Sequence, residues 1–312
     1  MDELRTGSPY PDEPGSRDEI RPAPAAPARV ATRHRAGRAT PRRRQAPARV
    51  LSSPVPETST LALPLQLAET FRVCAPTVVE AALGRLTRET CDRRLATWAN
   101  NALRLADGRV DARGLENVRA DRAYVLMSNH QSAYDIFSLF VAFPHSMRMV
   151  AKKAMFRLPI MGGGMRAAGF VEIDRSDHDR AMAALERAKE IMASGINVWI
   201  APEGTRSDDG ALLTFKRGGF MMAMQLGCPI LPVTIDGTRE ILPAKDYRVR
   251  LGKTVRVTFH PAVDAAAFAP DRREALMETV RRAIASTLPA ERDRAGATRG
   301  ADEVDPAAGA MF

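Results

Sequence analysis

Cysteine is scarce in this chain of 312 residues: Cys74, Cys91 and Cys228 are an odd and scattered set of three. That spacing argues against a disulfide scaffold or a zinc site and makes a reducing compartment the simpler reading. Histidine is nearly as sparse, at five, and no His-Glu-x-x-His pattern occurs, so no metal centre is expected. No run reaches the roughly 18–20 apolar residues that cross a bilayer. The longest candidate, 136–147, contains Pro144 and His145 and reads as core. The opening residues, Met1-Asp2-Glu3-Leu4-Arg5, lead into no apolar segment and start no signal peptide. The expectation is a soluble or peripheral protein without a transmembrane helix. Large apolar side chains are also nearly missing from the first fifty-odd residues, which are rich in Pro, Ala and Arg. Such a stretch cannot bury enough surface to offset its ordering entropy, so 1–56 is predicted to be a disordered basic tail. Its arginines from Arg29 to Arg49 have no acid among them and supply a good part of the formal net charge of +9. Three roles are open for it: a solvated spacer, a contact with an anionic leaflet at about 1 kcal/mol per Arg, or nucleic-acid binding. The last is disfavoured, because the patch lacks aromatic residues for stacking.

The remainder, in a chain 45% hydrophobic and 27% charged, suits one sizeable domain with extra segments. Residues 57–110 read as helical, with Pro76 separating 63–73 from 77–86, and with Leu95, Trp98, Ala102 and Leu105 at helical spacing. This segment is either a cap on the core or a membrane-docking pair that offers Leu63, Leu65, Leu67, Phe71 and Val73 to an interface. From Arg119 strands alternate with helices. Strands are predicted at 123–128, 147–151, 169–173, 196–200, 230–235 and 254–260, and helices at 132–143, 177–193, 219–226 and 271–288. Gly162-Gly163-Gly164 reads as a flexible turn. The alternation predicts an α/β fold with a mixed, largely parallel sheet flanked by helices, behind the helical segment and the basic tail.

Two polar clusters fall where apolar strands end. Asn129-His130-Gln131-Ser132-Ala133-Tyr134-Asp135 follows the first strand, with Ser132 and Asp135 spaced as a helix cap. His130 then leaves the strand while Asp135 folds back from the first helical turn, and an imidazole held by a carboxylate is a minimal general base. Pro202-Glu203-Gly204-Thr205-Arg206-Ser207 follows the strand at 196–200. Two more strands end in Glu172-Ile173-Asp174-Arg175 and in Thr234-Ile235-Asp236-Gly237. Ligands of such sheets bind beyond the carboxyl ends of the strands, where all these residues fall.

Four ordered blocks, Asn129 to Asp135, Phe170 to Arg175, Pro202 to Ser207 and Leu231 to Val233, closely resemble those of the glycerolipid acyltransferase family, which includes the 1-acylglycerol-3-phosphate acyltransferases. The resemblance spans roughly Arg119 to Pro261, with Ala201 where an aromatic is usual and a variant second block. It implies an acyltransferase domain over 111–290, followed by a disordered tail at 291–312. It also implies transfer of a fatty acyl chain from acyl-CoA or acyl carrier protein to 1-acylglycerol 3-phosphate, giving phosphatidate, on the cytoplasmic face of a membrane. Glycerol 3-phosphate or another lysolipid, such as a lyso-ornithine lipid, is the alternative acceptor; a thioesterase using the same pair is a further class. His130 and Asp135 would be catalytic. Arg175, Glu203, Gly204, Thr205, Arg206 and Pro232 would bind substrate, and Lys153 and Lys216 are read as phosphate or coenzyme A contacts, or else as a solvated basic edge. Beyond the thioester co-substrate no cofactor is expected.

Overall fold

The computed structural model describes residues 57–173 and 178–289. The tails predicted at 1–56 and 291–312, and Arg175, lie outside the described residues. The described chain opens with β1 (Thr58–Ser59), α1 (Ala62–Ala82), α2 (Arg88–Leu105) and β2 (Arg109–Arg113). Then follow β3 (Val125–Ser128), α3 (Tyr134–Ala142), β4 (Met147–Lys152), α4 (Lys153–Phe156), α5 (Met161–Ala167) and β5 (Val171–Ile173). Next come α6 (His178–Ala193), β6 (Asn197–Ile200), α7 (Arg217–Leu226), β7 (Ile230–Asp236) and α8 (Thr238–Ile241). The last elements are β8 (Val249–Arg250), β9 (Thr254–Phe259) and α9 (Arg273–Ala285).

Seven strands form one sheet in the order β2-β9-β7-β3-β6-β4-β5. The run from β7 to β5 is parallel throughout, β9 is antiparallel to β7, and β2 is parallel to β9. The sheet is therefore mixed and largely parallel. Its two central strands, β3 and β6, are buried at every position, as near-continuous apolar runs covered on both faces must be. Because β3 and β6 are hydrogen-bonded neighbours running the same way, the loops after Ser128 and after Ile200 leave the sheet side by side. That adjacency builds the site.

Three local expectations are corrected. Pro76 does not divide two helices: α1 runs through it unbroken, with Pro76 on the exposed side and buried Thr77 beside it. Gly162-Gly163-Gly164 is not a turn but part of α5. A Cβ on Gly164 would lie 2.7 Å from the Cys74 sulfur, and one on Gly162 would lie 2.0 Å from the Phe156 carbonyl oxygen. The glycines are there for close packing against α1 and α4 rather than for flexibility. Finally, Ser132 does not occupy the helix cap position, which is Ala133; the Ser132 hydroxyl instead accepts from Tyr134 N–H and donates to the Leu242 carbonyl.

Helix α1 has its polarity reversed. Its buried residues are Ala62, Gln66, Thr70 and Thr77, while Leu65 is 51% and Val79 57% exposed, with Leu61, Phe71 and Leu83 also outside. The inner face joins α2 through polar contacts: Trp98 Nε1 donates to Thr70 Oγ1 at 2.9 Å and Arg94 to Thr77 Oγ1 at 3.2 Å. Both amide atoms of Gln66 are buried without a partner. No helix among the described residues is long and apolar enough to cross a membrane.

Candidate active site

His130 stands two residues beyond the end of β3. Its Nδ1 lies 2.7 Å from Asp135 Oδ2, with Asp135 fully buried and the His130 side chain 18% exposed. Asp135 sits in the first turn of α3 and has no shortage of donors. Its Oδ2 also accepts from Gln131 N–H at 2.7 Å and Ser132 N–H at 2.9 Å, and its Oδ1 accepts from the Thr238 hydroxyl. A carboxylate surrounded by donors can only accept from the imidazole, so Nδ1 carries the proton. Nε2 is left with its lone pair free to take one, which is the posture of a general base. The Trp199 ring packs edge-on to His130 at 6.1 Å between centroids, and its Nε1 is held by Ser128 Oγ at 2.9 Å.

The loop after β6 clamps the histidine from the other side. Glu203 Oε1 accepts from His130 N–H at 2.7 Å, and Ser207 N–H donates to the His130 carbonyl at 2.8 Å. Glu203 Oε2 accepts from Leu213 N–H at 2.8 Å. Glu203 is only 2% exposed. This corrects its expected role as a substrate ligand or a brace for an arginine: its oxygens face two backbone amides, and it acts on the histidine's main chain. Burial pushes its carboxyl up to about 8, against the opposing pull of those two N–H bonds. Gly204 has φ +72°, a turn that L side chains rarely enter.

The other predicted residues are placed as follows. Arg206 is half-buried next to Ser207 and has no ion-pair partner among the described residues, while Thr205 is exposed. Lys216 is exposed, and its N–H donates to the Pro202 carbonyl at 2.7 Å, tying the start of α7 to the same loop. Lys153 follows directly on β4, at the carboxyl end of the strand beside β6. Pro232 is buried within β7 opposite Met127, so it lies in the sheet beneath the site rather than on its open surface.

The sequence reading places Asn129 in the first block without a role and leaves out Thr238. Asn129 bonds both backbone groups of Ile235, with Nδ2 donating to the carbonyl and Oδ1 accepting from N–H, each at 2.8 Å. It thereby extends the β3–β7 pairing past the end of β3. Thr238 supports Asp135 from across the fold; a hydroxyl just after β7 is its only signal in the sequence. An apolar cavity of about 80 Å³ lies between α1, α2, α3 and α5, against Ala133, Trp98, Phe137, Met149, Met165 and Phe170. Its lining also includes Met155 and Met161, unbranched side chains that repack readily.

An acyltransferase family model matches residues 109–236. The chain is 36% identical over 156 residues to the chloroplastic 1-acyl-sn-glycerol-3-phosphate acyltransferase BAT2 of Brassica napus, covering 50% of this chain and 45% of that one. It is 30% identical over 177 residues to the mouse 1-acyl-sn-glycerol-3-phosphate acyltransferase alpha, covering 56% and 62% respectively. The chain thus spans about half the length of the plant relative and under two thirds of the mouse one. The crystal structure of the 1-acyl-sn-glycerophosphate acyltransferase PlsC from Thermotoga maritima aligns with a TM-score of 0.59 at 26% identity, covering 73% of this chain and 93% of that one.

Proposed function

We propose that this chain, a glycerolipid acyltransferase family member through residues 109–236, moves a fatty acyl group from a thioester to the free hydroxyl of a lysophospholipid, with 1-acylglycerol 3-phosphate as the acceptor. The observation that carries this reading is the fixed His130–Asp135 pair at the carboxyl end of the sheet, with Nε2 open. The acceptor hydroxyl gives its proton to Nε2 as its oxygen attacks the thioester carbonyl. Asp135 stabilises the imidazolium that forms. When the tetrahedral intermediate collapses, the ester bond remains, the C–S bond breaks, and the imidazolium returns its proton to the departing thiolate. The donor is coenzyme A or acyl carrier protein. A thioester is already activated, so no covalent acyl-enzyme is needed.

Arg206 is the phosphate ligand in this scheme, because a guanidinium forks onto a phosphate monoester and this one is unpaired among the described residues. Thr205, Lys153 and Lys216 complete an anion-binding rim in this scheme, and Arg175 is a further phosphate ligand by its side-chain chemistry alone. The apolar cavity beside Ala133 takes acyl chain. The reversed polarity of α1 supports the docking reading of residues 57–110 over the cap: its apolar face enters one leaflet while the polar face stays against α2. The protein would then lie on the membrane without spanning it.

Purified protein with labelled acyl-CoA and a panel of lysolipids tests the assignment. Phosphatidate from 1-acylglycerol 3-phosphate is expected. Free fatty acid alone would instead identify a thioesterase, and acylation of a lyso-ornithine lipid would move the acceptor. A second expectation concerns α1. Changing Leu65 and Phe71 together to Glu should reduce sedimentation with anionic vesicles at least tenfold, since each loses roughly 1.5–3 kcal/mol of burial. Both side chains are exposed, so the melting temperature should hold. Unaltered vesicle binding would return α1 to the role of a cap.

A further inference from the structure

Glu203 fixes the main chain of His130, so whatever fixes Glu203 bears on the base. The amide at Leu213 holds its Oε2, and that amide belongs to a loop gripped from outside. Arg281, in α9, donates through Nη1 to the Leu213 carbonyl at 3.0 Å and through Nη2 to the Leu212 carbonyl at 3.4 Å. Its guanidinium also lies over the Phe215 ring, 5.7 Å from the centroid. A planar fork suits two successive carbonyls, and neither the motif blocks nor the amphipathic pattern of α9 singles this arginine out.

We propose that Arg281 is a positioning residue for acyl transfer: it holds the 212–213 carbonyls, they place the amide that holds Glu203, and Glu203 places His130. The inference rests on the acyltransferase reading and deepens it. Two charges face Glu203, from different elements: Asp135 of α3 opposes its ionisation and Arg281 of α9 favours it. Glu274 and Glu278 line the groove that Arg281 faces on its outer side. The ionised carboxylate is the stronger acceptor for both backbone amides. Protonation turns one of its oxygens into a hydroxyl, a poorer acceptor, and so loosens one of the two bonds. Arg281 therefore supports the relay both through its bonds and through its charge.

The experiment uses the full chain with acyl-CoA and the acceptor that the wild type uses, and follows kcat and both KM values across pH. Arg281→Met is expected to lower kcat by about 10–100-fold, the scale of an ångström-sized misplacement, with both KM values within about twofold. The acidic limb of its kcat profile should move to higher pH, because burial and Asp135 then act on Glu203 without the opposing guanidinium. Arg281→Lys keeps the charge but not the fork, so it should leave that limb at the wild-type pH and recover only part of kcat. Combined with Glu203→Gln, Arg281→Met should cost little more than Glu203→Gln alone, since both break one relay. The proposal is overturned if the loss in Arg281→Met tracks melting temperature with the pH profile unmoved, if the two losses multiply, or if Arg281→Lys has the wild-type kcat. The last readout decides the matter even if Arg281→Met does not fold. A wild type unable to transfer acyl groups would defeat the acyltransferase reading itself, a result separate from all of these.

Discussion

Replacing His130 with alanine is expected to abolish acyl transfer while leaving the protein folded. Positioned base catalysis is worth roughly 10²–10⁴ in rate, and His130–Asp135 is the histidine–carboxylate pair found among the described residues. The stability side follows from the partners. Asp135 keeps Gln131 N–H, Ser132 N–H and the Thr238 hydroxyl, so its charge is not orphaned when the imidazole goes. The clamp from Glu203 and Ser207 grips the main chain at 130, not the ring, and survives the change. A melting temperature within about 2–4 °C of wild type is therefore expected, the shift that 1 kcal/mol gives in a domain of this size. Measuring turnover beside a thermal melt checks both halves. Retention of most activity would mean that the base is elsewhere.

Asp135→Ala should do more harm, and of two kinds. The imidazole loses the partner that sets its tautomer and stabilises its charged form, a change that costs about 10⁴ in the serine-protease example. In addition, two buried backbone N–H groups and the Thr238 hydroxyl lose their acceptor, at roughly 1–3 kcal/mol for each group left unsatisfied. Asp135→Asn separates the two losses. An amide can keep its oxygen toward His130, Gln131 and Ser132 and turn its NH₂ toward Thr238, whose hydroxyl can rotate to accept. Most stability should return with asparagine, but the rate should not, because the negative charge that steadies the imidazolium is gone. Equal rates for Asp135→Asn and wild type would show that this charge has no part in the reaction.

The strands that carry the site could be read from the chain because they are buried on both faces, so that Val125-Leu126-Met127 and Val198-Trp199-Ile200 stand out as apolar runs. β2 could not. As an edge strand it carries Arg109, Asp111 and Arg113 between Val110 and Ala112, and such charge at an edge resembles loop. The glycine triplet misled for a related reason: local propensity favours a turn, and only the proximity of Cys74 explains why small residues are needed in a helix. At the site, His130 and Asp135 were legible since five residues separate them across one strand-to-helix turn. Glu203 was found but given the wrong task, as nothing in its own block points to the amide of Leu213. Thr238 reaches Asp135, and Arg281 reaches the loop that holds Glu203, from later elements, and contacts of that range leave no periodic trace in a sequence.

Helix α1 turns aliphatic side chains outward and tucks threonines and a glutamine inward. If that outer face sits in a leaflet, as proposed, the acceptor reaches the base by lateral diffusion, already oriented headgroup-up, and not from bulk water. The quantity that saturates the enzyme is then the number of acceptor molecules per unit area. Diluting the acceptor with inert phospholipid, at constant total amount in the tube, would slow the reaction as though substrate had been removed.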